Sequence, residues 1–492
     1  MDQALDELLQ HRPRHVGAGG GRADRARVRL EVPDGQAQAA DQPRIPRQPP
    51  DQDARAQLAI RPALRRLIAF LNTARARLLS GRLLVGRAVA LSFGRGVASL
   101  LSAAWLILVA RRLPLDQFGD VSVALALVII LTALSDLGLQ TILAKDVVET
   151  GRVRRQVLDA VITRRLMWAV AAAALLVVLY VIATRERNLA TPALFSLSIV
   201  GAGLYNPVIT AYRATGNIRL EVISEVTSRA VVLVGGGLWV LSGGGVIAVA
   251  VAYSAVGIAV GVIDYLFVRN KSSVGPSEDP LPSFSLRAAA PFALANTIGA
   301  VYQRIDNYLV ALLRGTAAAG IYGASYRFQD MNVILPAALG QLALSEASGQ
   351  DPRTRLSIAK RIAAQSALLA FVPAVIISVF AQPLLVFLFG ARFAIAAPIV
   401  IVLMVSTLPG AAAMSLSLLA AVTDPRRFAI ATGTSLALNV GANLALIPLF
   451  SGLGAAVANV LSQTYLVGAF YWVLWRRTAE LTAGSVASGT QS

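Results

Sequence analysis

The sequence predicts an all-α polytopic membrane protein with about twelve transmembrane helices in two pseudo-symmetric six-helix lobes. Three observations predict it. Of 492 residues, 56% are hydrophobic and 15% charged, against about 45–50% and 25% in soluble domains. From Ala88 onward, twelve apolar segments follow one another with short connections, each near the ~20 residues that cross a bilayer. The two halves also share landmarks. Gln117-Phe118-Gly119 follows the first segment and Ile321-Tyr322-Gly323 follows the seventh, at an offset of 204. Glycine-rich turns, Ser242-Gly243-Gly244-Gly245 and Ser451-Gly452-Leu453-Gly454, join the last two segments of each half. A six-plus-six repeat suits a transport site between two lobes.

Residues 1–80 read differently. Gly17 to Ala56 is built from Gly, Arg, Ala, Gln, Asp and Pro with almost no apolar periodicity, which predicts a disordered cytoplasmic extension. From Leu58 to Leu84, arginines at 61, 65, 66, 75, 77 and 82 fit a basic amphipathic helix on an anionic leaflet. A second reading places the natural start downstream, with residues 1–80 not native. The segments then fall near 88–110, 119–143, 163–183, 190–212, 222–242 and 245–267, and 288–313, 317–345, 363–388, 394–422, 428–449 and 453–475. They divide the chain into an N-terminal lobe (84–268), a cytoplasmic linker (269–286), a C-terminal lobe (287–477) and a tail (478–492).

Charge fixes orientation and narrows chemistry. Loops after even-numbered segments carry seventeen Lys and Arg, with Arg164, Arg165, Arg269 and Arg427 among them; loops after odd-numbered segments carry six. The bias puts the first set, and both termini, in the cytoplasm. The net charge of +18 is accounted for by these loops and the arginine-rich extension, so no nucleic-acid partner is expected. There is no cysteine, and both histidines, His11 and His15, lie in the extension. Thiolate metal sites and histidine general-base chemistry are therefore absent from the membrane body; neither an enzyme nor a cofactor is expected.

Charges left inside spans are costly, about 2.5–3.5 kcal/mol each at the bilayer centre on insertion scales, and normally face a bundle interior or wet cavity. Four arginines remain: Arg95, Arg229, Arg304 and Arg327, with Asp136, Glu225, Asp306 and Asp330. Arg95 shares a helix face with Ser92, Ser99 and Ser102. Its alternatives are an interhelical pair with Asp136, on the stripe Thr132, Asp136, Gln140, or a substrate-facing role. Glu225–Arg229 (i, i+4) and Arg327–Asp330 (i, i+3) are spaced as local helix pairs. On segment seven, Asn296, Gln303 and Asn307 form one stripe and Thr297, Arg304 and Tyr308 its neighbour. Tyr322, Tyr326 and Gln329 of segment eight, and Ser435, Asn439 and Asn443 of segment eleven, extend the polar faces. The reading is a wet groove between lobes, with Arg95, Arg304, Asn296, Gln303, Asn307, Tyr308 and Tyr326 as substrate contacts. Asp136, Asp306 and Asp330 are ion-coupling or pairing sites.

LSFGRGVASLLSAAWLILVARRLPLDQFG with LSDLGLQTILAKDVV resembles the first two spans of bacterial polysaccharide-biosynthesis flippases. RIDNYLVALLRGTAAAGIYGASYR resembles their seventh and eighth. LLAAVTDPRRFAIATGTSLALNVGANLALIPLFSGLGAAVANVLSQ is similar to their tenth through twelfth. The resemblance spans roughly Leu84 to Arg477 and implies the multidrug/oligosaccharidyl-lipid/polysaccharide exporter fold, a V of two lobes. It implies a bacterial inner-membrane flippase that moves undecaprenyl-diphosphate-linked oligosaccharide outward for O-antigen or exopolysaccharide synthesis, alongside polysaccharide polymerase machinery. Cationic cavities on the first and seventh helices belong to that pattern, and Arg95 and Arg304 are the matching positions. The alternatives are a cation-coupled multidrug exporter of the same superfamily and a peptidoglycan-precursor flippase.

Overall fold

The computed structural model describes residue 94 and residues 96–272 and 286–489. The N-terminal extension, including the stretch expected as a basic helix, Arg95, and most of the linker lie outside the described residues. Every element among the described residues is a helix. They run α1 (residues 96–112), α2 (Leu115–Leu134), α3 (Leu139–Thr150), α4 (Arg155–Thr184), α5 (Ala190–Ala214), α6 (Ile218–Leu241) and α7 (Gly245–Lys271) in the first half. The second half holds α8 (Leu286–Arg314), α9 (Thr316–Asn332), α10 (Ile334–Ala347), α11 (Pro352–Val379), α12 (Ala381–Phe389), α13 (Ala397–Thr423), α14 (Pro425–Phe450) and α15 (Gly452–Gly489). Nine helices of the described residues are long and apolar enough to cross a membrane. Apolar side chains such as Met167, Leu238, Leu368, Val379 and Leu449 stay exposed on their outer faces. Exposed leucine and valine along a long apolar helix is what a lipid-facing surface requires.

Several segments that hydropathy reads as single spans are broken, each for a local reason. The second ends at Leu134 because Leu137 and Gly138 take positive φ (45° and 78°), a left-handed turn that stops a helix and re-aims the chain. The eighth breaks at Val333. Pro336 lacks the N–H that would bond to the Asn332 carbonyl, and the Asn332 side chain turns outward to donate to Ala370 O (3.1 Å) and Thr407 Oγ1 (2.8 Å). The fifth contains a π-helical turn, Val232–Gly236. There Gly236 lies so close to α1 that an added Cβ would stand 2.8 Å from Trp105. Two helices start on the same signal: Asp351-Pro352 and Asp424-Pro425 set an acidic cap before proline. Asp351 accepts from Arg353 N and Thr354 N, and Asp424 from Arg427 N, which satisfies N–H groups orphaned at a helix start.

Each half packs mostly within itself, α5 on α7 and α4 in the first, α13 on α15 and α11 in the second. The halves meet chiefly through α2, which lies against α8 and α9. Small residues bring α2 and α9 together: a Cβ on Gly119 would fall 1.8 Å from Thr316 O, and one on Gly320 2.8 Å from Leu115 O. Close backbone approach through glycine is how helices associate where lipid gives no hydrophobic drive.

Candidate functional site

Between the halves, on the C-terminal side of α2 and the N-terminal side of α8, lies a partly open cavity of about 610 Å3. The first half contributes Thr132, Asp136, Gln140, Arg165, Tyr205, Asn206, Ser228, Arg229 and Tyr253, and the second Asn296, Ala300 and Gln303. At 1.5 Å per residue, Thr132 sits about 20 Å along α2 from the Gly119 contact. The interface is thus sealed at one end and hollow toward the other.

The turn after α2 carries Asp136 into the cavity wall. Its partner there is Arg165 on α4, whose Nη1 donates to Asp136 Oδ1; the two are 2% and 1% exposed. Gln140 Nε2 donates to the same oxygen at 2.9 Å, and Thr210 Oγ1 donates to Gln140 Oε1 at 2.9 Å. This corrects the placement of Arg165 in a cytoplasmic loop. α4 begins at Arg155, ten residues ahead of Arg165, so the arginine rides inside the helix and needs the carboxylate. Arg95, the other partner considered for Asp136, is outside the described residues.

Arg229 also departs from its expected role. The Glu225–Arg229 ion pair is absent among the described residues; Arg229 Nη1 instead reaches the Tyr253 hydroxyl on α7 at 3.3 Å, with the guanidinium 6.0 Å from the ring centroid. Arg229 is thereby the cavity-lining cation of the described residues with no carboxylate at ion-pair distance. Arg327 and Asp330 do pair, at 3.1 Å, but Asp330 is shared: Arg304 Nη2 reaches both its oxygens at 3.1 Å. Arg304, expected as a substrate contact, is therefore ion-paired through Asp330. It lies over the Tyr326 ring, 5.1 Å from the centroid, at a small cavity of about 10 Å3 that also touches Gln303, Asn307 and Arg327. Arg304 and Arg327 of the second half thus share one carboxylate, Asp330.

The remaining residues separate into three places. Asn296 and Gln303 line the large cavity. Asn307 and Tyr308 do not; they seal the interface, Asn307 Nδ2 donating to Ser122 O (3.0 Å) and the Tyr308 hydroxyl to Leu179 O (3.3 Å). Asp306 points the other way, into the second half, where it is 1% exposed. It accepts from Asn443 Nδ2 (2.8 Å), Asn459 Nδ2 (3.2 Å) and the Tyr322 hydroxyl (3.0 Å), with no cation at ion-pair distance among the described residues. Ser435, Asn439 and Asn443 belong to this buried network and are fully buried, so they tie helices together and do not line the groove. Tyr205, Asn206, Arg165 and Tyr253 were missed as cavity residues. For Tyr253 the only signal is an isolated tyrosine within an apolar run, and for Arg165 the length of apolar chain that follows it.

A family model described as "Polysaccharide biosynthesis protein" matches residues 85–344, more than half of the chain. The chain belongs to the polysaccharide biosynthesis protein family. No curated protein sequence matches it, but solved structures share the fold of this family member. A multidrug-resistance MATE transporter of the MOP superfamily, inward-facing, aligns at a TM-score of 0.58 with 14% identity, over 78% of this chain and 95% of its own. An outward-facing MATE structure aligns equally well, at 0.59 and 14%, over 80% and 95%. The lipid II flippase MurJ, inward closed, aligns at 0.62 with 11% identity, over 81% and 91%. At these identities the likeness establishes the multi-pass membrane fold, and the site must be read from this chain's own residues.

Proposed function

We propose that this polysaccharide biosynthesis protein is a flippase. Its cargo is an undecaprenyl-diphosphate-linked oligosaccharide, moved from the cytoplasmic to the outer leaflet of the bacterial inner membrane for surface polysaccharide assembly. The observation that carries the reading is Arg229: an arginine with no carboxylate at ion-pair distance among the described residues, facing a cavity between the halves. A guanidinium stays charged and presents a fork of donors matched to phosphate oxygens. Asn206, Asn296 and Gln303 on the same walls offer donors and acceptors for sugar hydroxyls. The Lys/Arg bias puts the hollow end toward the cytoplasm, where such a lipid is made. A dianionic head group leaving a negative interior gains up to about twice 2.3 kcal/mol per 100 mV.

The multidrug-exporter alternative fares worse. The carboxylate in the cavity, Asp136, is held by Arg165, and Arg229 repels a cationic drug. A peptidoglycan-precursor flippase carries the same diphosphate, so substrate exchange decides between them. Of the three aspartates considered for coupling, Asp136 and Asp330 are neutralised by arginine. Asp306 is the one left to bind a proton or sodium ion, and we assign coupling to it. In a strain depending on this protein, Arg229→Ala leaves it inserted but abolishes surface polysaccharide, with the lipid-linked oligosaccharide accumulating on the cytoplasmic leaflet. Arg229→Lys retains part of the export. Normal export by the alanine variant overturns the cationic-cavity reading; rescue of a peptidoglycan-flippase deficiency by the wild type overturns the choice of cargo.

A further inference from the structure

The sealed end of the interface carries a feature that the cargo does not require. Arg111, in the last turn of α1, reaches across to the second half. Its Nε donates to Leu388 O at 2.8 Å, and its Nη2 to Phe387 O. Both carbonyls belong to the last turn of α12 and have no donor within that helix. Arg392, just beyond α12, reaches back: its Nη2 donates to Ala110 O and Leu113 O at the C-terminal end of α1. Each half thus offers an arginine to the open helix terminus of the other. A helix C-terminus carries partial negative charge, so each contact is charge-assisted. Between them the Arg392 guanidinium lies 5.5 Å from the Phe393 ring centroid, and Phe118 of the first half meets Phe393 edge-on at 5.7 Å.

We infer that Arg111 and Arg392 form a two-pin latch holding this end of the protein shut, and that the latch must release before the cavity can open on that side. The contacts suit a reversible closure. When the halves part, the freed carbonyls and both guanidinium groups enter water, which replaces their hydrogen bonds at modest cost. A buried carboxylate–arginine pair would leave a larger penalty and close the end permanently. The inference rests on the transporter part of the proposed function and is independent of which lipid is carried.

The chain has no cysteine, so two introduced cysteines report without background. Arg187→Cys in the connection after α4 and Phe450→Cys at the exposed end of α14, both at this end, carry spin labels for distance measurement in detergent or nanodiscs without substrate. In the otherwise native protein the short-distance population dominates. Arg111→Ala with Arg392→Ala raises the ratio of long to short distances by about tenfold, equivalent to 1.4 kcal/mol, and each single change gives a smaller shift in the same direction. Arg112→Ala, an exposed neighbour with no hydrogen bond or ion pair to the other half among the described residues, leaves the distribution unchanged. A double variant whose distances superimpose on those of Arg112→Ala overturns the latch. If the double variant is not monodisperse, the two single variants decide by the same comparison. Because no cargo is present, a failure of the flippase reading leaves this result standing, and the reverse also holds.

Discussion

The Asp136–Arg165 pair gives the sharpest energetic prediction. Both side chains are almost completely buried, and Asp136 Oδ2 and Arg165 Nε have no hydrogen-bond partner among the described residues. Removing one member of a buried pair costs about 3–5 kcal/mol, while replacing both by neutral groups of similar volume is near neutral. The two single changes are unequal. Asp136→Asn strands a guanidinium that cannot lose its charge. Arg165→Met leaves a carboxylate that can take up a proton, and its Gln140 hydrogen bond at 2.9 Å survives. Asp136→Asn should therefore cost about 4 kcal/mol and Arg165→Met about 3 kcal/mol, and the double variant less than either. That pattern is a coupling of at least ~4 kcal/mol, above the ~0.5–3 kcal/mol usual for contacting residues, because each single change strands a buried charge. Reversible unfolding in mixed micelles, titrated with SDS, measures all four corners of the cycle. Single variants that each cost under ~1 kcal/mol and add in the double would refute the pairing as a structural element of the cavity wall.

Gly119→Val places side-chain carbon where Thr316 O stands 1.8 Å from a Cβ. The α2–α9 contact should spread, and labels at the sealed end should move apart even with both latch arginines intact; an unchanged distance would show that the close approach is dispensable. Asp306→Asn turns an acceptor of three hydrogen bonds into a group that presents its own N–H to neighbouring donors. It should remove the dependence of transport on a proton or sodium gradient, and a variant keeping the native ion dependence would return coupling to another residue.

Much of this molecule is visible in composition and hydropathy. Among the described residues the apolar segments are helical over most of their length, and nine helices are long and apolar enough to cross a membrane. The Asp-Pro starts at 351 and 424 are legible as caps, and the glycines at 119 and 323 mark the place where the halves touch. Helix interruptions are less legible. The turn at Leu137–Gly138 falls inside an unbroken apolar run, and the consequence of Pro336 is felt four residues earlier, at Asn332.

What the sequence by itself determined is therefore the class of molecule: a cysteine-free helical membrane protein with arginines where lipid would forbid them. Partition between water and hydrocarbon depends on local composition, and a window of twenty residues contains all of it. Only the tertiary structure decided which charge meets which. Arg165 neutralises Asp136 from another helix, and Asp330 is shared by Arg304 and Arg327. Arg229 turns from Glu225 to Tyr253, and Asn307 and Tyr308 seal an interface that their stripe suggested they would line. Each residue turns a helix by about 100°, so a small change in helix rotation or in where a helix ends sends a side chain to a different neighbour. The spacing of charges along one strand of sequence sets the partners a residue could reach within its own helix. The packing of the described helices against one another chose the partners it has.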